Sequence, residues 1–431
     1  MNLINTFKKL NSSRLARDSL FQFILNTIGA IISFFQLPLF LKLMGGNGFG
    51  EYVIIQTIVF TFFAFTQIQF YQGILKYSPN ASDSINKTSV MMKLGIINEV
   101  ISLLLIVTGF LMFYGLVNKT YTNLISINTI LPLIVVITTS ISSGQTISTV
   151  LRMVDKFQYV AIWSAFCQLL RFMLLLLLPK SSISQGDTLI IALIVPELLR
   201  IVALVFLIPN HILFQKWIRP LQFKQMIKFS LTITVQEWCD LPVKQFDKLI
   251  LSIFVQPMYV GTYHILRRIG TMMAMVVVPF ATSFFHEFSE RFNSNNVKGV
   301  LQLFKKSIIL FSSVSIILAI GLILTESLWV PRLFINVNVE KHLILLIICI
   351  YIIINGFNAI HTLLYVLGGI KESLVITFIA NALFFISAFY LGYHFKTEGL
   401  IISFVLQVIT VIGLKILVVR KKMSELSKSI G

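Results

Sequence analysis

The chain has 431 residues, of which 56% are hydrophobic and only 12% charged, with a mean hydropathy of +0.88. Soluble domains carry about a quarter charged residues, so this composition excludes a soluble enzyme or binding module and points to a chain that lies mostly in lipid. The formal net charge of +18 does not mark a nucleic-acid binder, because the basic residues are scattered through short polar gaps between long apolar runs.

The chain opens on a polar, basic stretch, MNLINTFKKLNSSRLARDS, followed by an apolar run longer than a signal-peptide core. No cleavage site follows, so that run is expected to remain as a membrane span. A hydrocarbon core of about 30 Å takes about 20 helical residues to cross. By that ruler twelve spans are predicted, near 20–44, 50–76, 93–117, 124–151, 157–178, 188–208, 228–255, 260–283, 303–326, 343–367, 374–393 and 399–419. Cys167, Cys239 and Cys349 each lie in an apolar stretch, with no metal spacing and no disulfide framework, and read as packing residues.

With the N-terminus inside, about 22 basic residues fall in inner loops and tails and about 5 in outer loops. Cytoplasmic loops are enriched in Lys and Arg, so both termini are expected to be cytoplasmic. The remaining basic residues lie within predicted spans: Lys42, Arg171, Arg200, Lys244, Lys248, Arg267, Arg268 and Lys415. Lys42, Lys415 and Arg171 are read as snorkelling to helix ends. Arg200 has Glu197 three residues earlier, the spacing of a helical salt bridge.

The basic segment 209–227 divides the spans six and six, giving an N-lobe at 1–208 and a C-lobe at 228–431. LMGGNGFGEYVI follows the first span and FVQPMYVGTYHI the seventh, so that Gly50 and Tyr52 superpose on Gly261 and Tyr263. The shared position in each half reads as duplication. The expected fold is therefore an all-α polytopic membrane protein, with twelve transmembrane helices in two pseudo-symmetric six-helix lobes around a central cleft.

LMGGNGFGEY and FDKLILSIFVQPMYVGTY resemble the two signatures of bacterial O-antigen flippases. These are the Wzx-like, polysaccharide transporter branch of the multidrug/oligosaccharidyl-lipid/polysaccharide exporter superfamily. The resemblance implies a non-enzymatic flippase of the bacterial inner membrane. Its implied cargo is an undecaprenyl-pyrophosphate-linked oligosaccharide, an O-antigen or capsule repeat unit, moved from the cytoplasmic to the periplasmic leaflet. It implies membrane lipid and the polysaccharide polymerase machinery as partners, and neither cofactor nor nucleic acid.

VQEWCDLPVKQFDKLIL, residues 235–251, keeps five charges in an apolar setting. On an α-helix Glu237, Asp240, Lys244 and Lys248 share one face, with Asp247 alongside. A charge at the bilayer centre costs about 2.5–3.5 kcal/mol, so this stripe must face the bundle interior or water. Two readings stay open. In one the charges pair locally, Asp240 with Lys244 and Lys244 with Asp247 or Lys248. In the other they line the cleft, where Glu237, Asp240, Asp247, Lys248 and Glu197 couple transport to H+ or Na+ or gate it. Lys244, Arg267, Arg268, Arg200 and Arg171 then form a cationic cleft suited to a pyrophosphate, because guanidinium grips phosphate oxygens through paired hydrogen bonds. Asn26 aligns with Glu237 under the same 211-residue offset and joins that set.

No phosphate loop, zinc helix or nucleophile triad is recognisable, and no metal is expected. The alternatives are a drug or cation exporter of the same superfamily, which needs an acidic cleft, and a membrane-embedded polysaccharide polymerase or ligase, which needs a sizeable periplasmic loop.

Overall fold

The structure, a computed structural model, describes residues 14–77, 84–120, 145–177 except 152 and 155, 185–293 except 217, 219 and 221, 297–334 and 339–430. Among these residues every regular element is helical. In chain order the principal helices are α1 (Arg14–Thr66), α2 (Phe70–Tyr77), α3 (Ser84–Thr120), α4 (Phe157–Leu177), α5 (Gln185–Phe206), α6 (Phe223–Leu241), α7 (Asp247–Phe254), α8 (Pro257–Asn293), α9 (Val297–Leu324), α10 (Glu326–Leu333), α11 (Lys341–Gly356), α12 (Asn358–Val366) and α13 (Ile370–Ile430).

Six helical stretches among the described residues are long and apolar enough to cross a membrane, and two of them are too long for one crossing. Thr27–Thr66 has 40 residues and Lys371–Glu425 has 55, about 60 and 80 Å of helix at 1.5 Å per residue. Each is broken where two spans were expected. α1 breaks at Gly45 (φ 68°, ψ 172°), a conformation that glycine adopts without a Cβ penalty. α13 breaks at Lys396 (φ 50°, ψ −122°). Another expected span is interrupted at Phe357, between α11 and α12. The span expected at 124–151 lies mostly outside the described residues; the others fall on helices.

Large apolar side chains face outward as well as inward, and polar ones are found inside. Leu104, Met112, Phe206, Ile317, Leu324 and Ile386 are exposed, whereas Gln36, Asn355, Asn381 and Lys415 are buried. That is the arrangement demanded when the solvent is hydrocarbon, where every polar group needs an internal partner. The chain is a multi-pass membrane protein.

Two compact units can be distinguished by their internal contacts. The first takes in the chain up to Gly48 together with Ile55–Trp238, the second Phe49–Ile54 together with Cys239–Gly431. The first has a core of Phe70, Ile74, Met91, Met92, Val150, Leu151, Leu204 and Met226, with Ile212 from the basic connection. Polar groups of α3 hold that connection by its carbonyls. Ser89 donates to Ile212 O at 2.7 Å, Asn86 to Ile218 O at 2.9 Å, and Lys93 to Gln215 O. α6 belongs to this unit as far as Trp238, whose indole N–H donates to Ala64 O at 2.9 Å, while Thr234 accepts from the Gln69 amide at 3.0 Å. The boundary between the units therefore falls inside the predicted seventh span rather than ahead of it. The second unit packs around Val277, Phe288, Phe311, Ile360, Leu363, Leu364 and Val419.

Candidate functional site

The seventh span is not one α-helix. Pro242 has no N–H to donate to the preceding turn. A π-helical turn at Pro242–Phe246 separates α6 from α7. A π turn carries more residues than an α turn, so side chains beyond it are rotated away from the face they would otherwise share. The charged stripe is split in consequence.

Beyond the turn, Asp247 is 0% exposed and sits in a closed knot of partners. Its Oδ2 accepts from the Tyr263 hydroxyl at 3.0 Å and lies 3.7 Å from Arg267 Nε. Its Oδ1 accepts from the Lys248 amide at 2.8 Å and lies 3.6 Å from Lys248 Nζ. Lys248 Nζ also donates to Lys244 O at 3.1 Å. The Arg267 side chain, 13% exposed, donates to Val243 O at 3.3 Å and lies with Cζ 3.7 Å from the centre of the Phe404 ring. This accounts for the charges without lipid contact, since buried ions persist only when paired and hydrogen-bonded. The pairing of Lys244 with Asp247 or Lys248 is corrected: Asp247 pairs with Lys248 and Arg267.

Asp240, before the turn, and Lys244, within it, form the expected i,i+4 pair at 3.2 Å, their side chains 29% and 49% exposed. This pair is partly exposed, whereas Asp247 is sealed. Glu237 and Arg268 are of intermediate burial. The adjacent Cys239 carbonyl accepts from Asn381 Nδ2 at 2.6 Å, and Asn381 Oδ1 accepts from Gln407 at 3.1 Å. Two turns further along α13, Lys415 Nζ meets His361 Nδ1 of α12 at 2.5 Å. Lys415 is 3% exposed, so it does not snorkel: it points into the unit, beside the apolar core of α12 and α13.

The two signature glycines that the sequence offset superposes are in contact. A Cβ on Gly50 would lie 1.8 Å from Pro257 O, and one on Gly261 would lie 3.3 Å from Gly50 Cα. Only a residue without a side chain allows this approach between the Phe49–Ile54 segment and α8. Tyr263, two residues on, is the donor to Asp247, so the motif and the charged knot form one packing unit. The Tyr52 ring lies tilted beside that of Phe49, their centres 6.4 Å apart.

In the first unit Glu197 bridges two arginines. Arg171 Nη2 approaches Glu197 Oε1 at 2.7 Å and Arg200 Nε approaches Oε2 at 2.8 Å. Arg171 was expected to snorkel; instead it joins α4 to α5, because Glu197 lies opposite it. The side chain of Asn26 lies outside the described residues. Among the described residues, Glu340, His342 and Glu398 bring ligand atoms within 4.8 Å of one another, on exposed side chains.

The sequence therefore identified the charged residues and their partners within one helix, Asp240 with Lys244 and Glu197 with Arg200, but not their partners on other helices. It missed Tyr263 as the donor to Asp247, and it missed Asn381, Gln407 and the Lys415–His361 pair altogether. Each of these is a polar residue in an apolar span, which was the available signal.

Residues 15–292 match the model of the family described as "Polysaccharide biosynthesis protein". No match was found among curated proteins. The fold is similar to that of an inward-facing multidrug resistance MATE family transporter of the MOP superfamily, with TM-score 0.66, 12% identity, and coverage of 95% of this chain and 96% of that one. It is similar to lipid II flippase MurJ in an inward closed conformation, with TM-score 0.66, 15% identity, and coverage of 95% and 90%. It is also similar to a MOP superfamily transporter from Pyrococcus furiosus, described as having a binding pocket of reverse polarity, with TM-score 0.61, 12% identity, and coverage of 95% and 96%. A match running from α1 to the end of α8, on a fold shared with these transporters, places the chain in the polysaccharide biosynthesis protein family.

Proposed function

We propose that the protein is a flippase for a polyprenyl-pyrophosphate-linked oligosaccharide, an O-antigen or capsule repeat unit. It carries that unit from the cytoplasmic to the periplasmic leaflet of the bacterial inner membrane by alternating access, with both termini in the cytoplasm. It performs no covalent chemistry; a polymerase consumes the delivered unit.

The observation that supports this reading is the sign of the charge inside the second unit. Its predicted spans hold Lys244, Lys248, Arg267, Arg268 and Lys415, against Asp240, Asp247 and the neighbouring Glu237. After the pairs Asp247–Lys248–Arg267 and Asp240–Lys244 are drawn, the balance is positive. A cation exporter needs the opposite sign, whereas a diphosphate is attracted by this one. Lys244 and Arg268 are the cations placed to meet it, and Asp247, Lys248 and Arg267 hold the helices that present them. Arg171, Arg200 and Glu197 play the same supporting part in the first unit, and Asn26 is assigned to the sugar path. Glu237 and Asp240 bind or gate the coupling ion, H+ or Na+.

The test is display of polysaccharide in a strain lacking its own flippase. A charge-assisted contact to phosphate contributes about 1.5–3 kcal/mol. Lys244→Ala and Arg268→Ala should therefore each lower the export rate at least about 10-fold at normal protein level. Full display by the double variant would remove both from the substrate path.

A further inference from the structure

We propose that Lys415 and His361 form a proton-binding site inside the second unit, and that its loading couples transport to the transmembrane proton gradient. The coupling half of this proposal rests on the flippase reading; the site itself does not.

The geometry is specific. Nζ and Nδ1 are 2.5 Å apart, within hydrogen-bond reach, and Nδ1 offers a lone pair to the Lys415 head group. Lys415 is 3% exposed, and no carboxylate among the described residues lies within ion-pair distance of it. A buried ammonium is normally held by an anion; this one is held by the lone pair of an imidazole. In the loaded state Lys415 carries the proton as an ammonium and donates to Nδ1, so that His361 is neutral and carries its own hydrogen on Nε2. Release of that proton leaves a neutral amine, and Nδ1 then loses its strong donor. A second proton on Nδ1 would remove the acceptor and set two cations in contact. The pair therefore holds one proton, and either change weakens the join between α12 and α13.

The surroundings define what else acts on the site. On the same two helices, Ile360, Leu364, Ile412 and Ile416 belong to the apolar core of the second unit or pack against it. From α6, Asp240 is the carboxylate whose field reaches Lys415, and Asp240 is itself held by Lys244. The charged group that acts on His361 is Lys415. Toward the end of α13 that carries the basic tail, Lys422 and Glu372 form a pair at 2.8 Å. Asp240, partly exposed, is thus the partner through which a change in the site is felt at the exposed charges, and Asn381, held by Gln407 of its own helix α13, ties that helix to α6 through the Cys239 carbonyl.

The full chain, labelled with nitrogen-15 histidine and held in lipid nanodiscs, gives the direct test. The six histidines give a resolvable set of ring signals, and His361→Gln assigns the one concerned. In the wild type the Nδ1 signal should report an unprotonated, strongly hydrogen-bonded nitrogen, and its titration midpoint should move by at least about one pH unit in Lys415→Met. An Nδ1 signal identical in the two proteins across the pH range would overturn the site. In proteoliposomes carrying a polyprenyl diphosphate oligosaccharide, an imposed pH gradient should raise wild-type translocation several-fold. The ratio of rates with and without the gradient should fall to about one in Lys415→Met and in His361→Gln. A ratio unchanged by both variants, or a wild type indifferent to the gradient, would overturn the coupling. Absence of any wild-type translocation would instead refute the flippase reading, with the nitrogen signal still deciding whether the site exists.

Discussion

Asp240 and Asp247 lie on what reads as a single amphipathic span, yet they stand in opposite settings. Asp240 is paired with Lys244 and both are partly exposed; Asp247 is sealed among Tyr263, Lys248 and Arg267. The difference arises at Pro242–Phe246, where a π turn rotates the second pair out of register with the first. One set of charges is thereby sealed between helices, and the other is left partly exposed. An intramembrane charge does not declare its role by residue type; the role follows from which side of such a break it occupies.

The largest effect expected from breaking this contrast is at Asp247. Asp247→Ala leaves Lys248 and Arg267 buried without their anion, which costs about 3–5 kcal/mol. Thermal unfolding in nanodiscs should show a variant that barely folds, and a variant as stable as wild type would mean that Asp247 is not the anchor. Next comes the glycine crossing that carries Tyr263. Gly50→Ala drives a methyl group into the Pro257 carbonyl, which cannot retreat as a side chain can. It should lose about 1–3 kcal/mol or more, and Gly261→Ala less, since its nearest obstacle is the edge of the Phe49 ring at 3.0 Å. Equal losses would show that the crossing relaxes as a whole. Phe404→Leu removes the ring beneath Arg267 and should cost about 0.5–2 kcal/mol by the same unfolding measurement. The smallest stability effect is expected on the open side of the break. Lys244→Ala should change stability by less than about 1 kcal/mol, because exposed pairs contribute little. Its effect should appear in export instead, which is the inverse of the Asp247 pattern.

Much of the fold was legible in the sequence because lipid is an unforgiving solvent: among the described residues, the spans expected from hydropathy fall on helices, including those that the structure joins into α1 and α13. The Gly50 and Gly261 repeat was legible too, although its meaning as a physical contact was not. Spacing within one helix gave the Asp240–Lys244 and Glu197–Arg200 pairs. Partners on different helices were invisible, and so Arg171 and Lys415 were read as snorkelling when Glu197 and His361 were waiting for them. The π turn was hidden for a similar reason. Pro242 signals a disturbance, but whether the helix kinks, stops or adds a residue is decided by packing against α13 and α8. His361 and Lys415 are 54 positions apart, and nothing local links them.

The most direct test of the central claim is translocation by the purified protein in liposomes, with a polyprenyl diphosphate oligosaccharide in one leaflet and its transfer to the other followed in time. Protein-dependent transfer is predicted, cut at least about 10-fold by Lys244→Ala with Arg268→Ala while folding is intact. Transfer that never exceeds that of empty liposomes, or that ignores the loss of both cations, would contradict it.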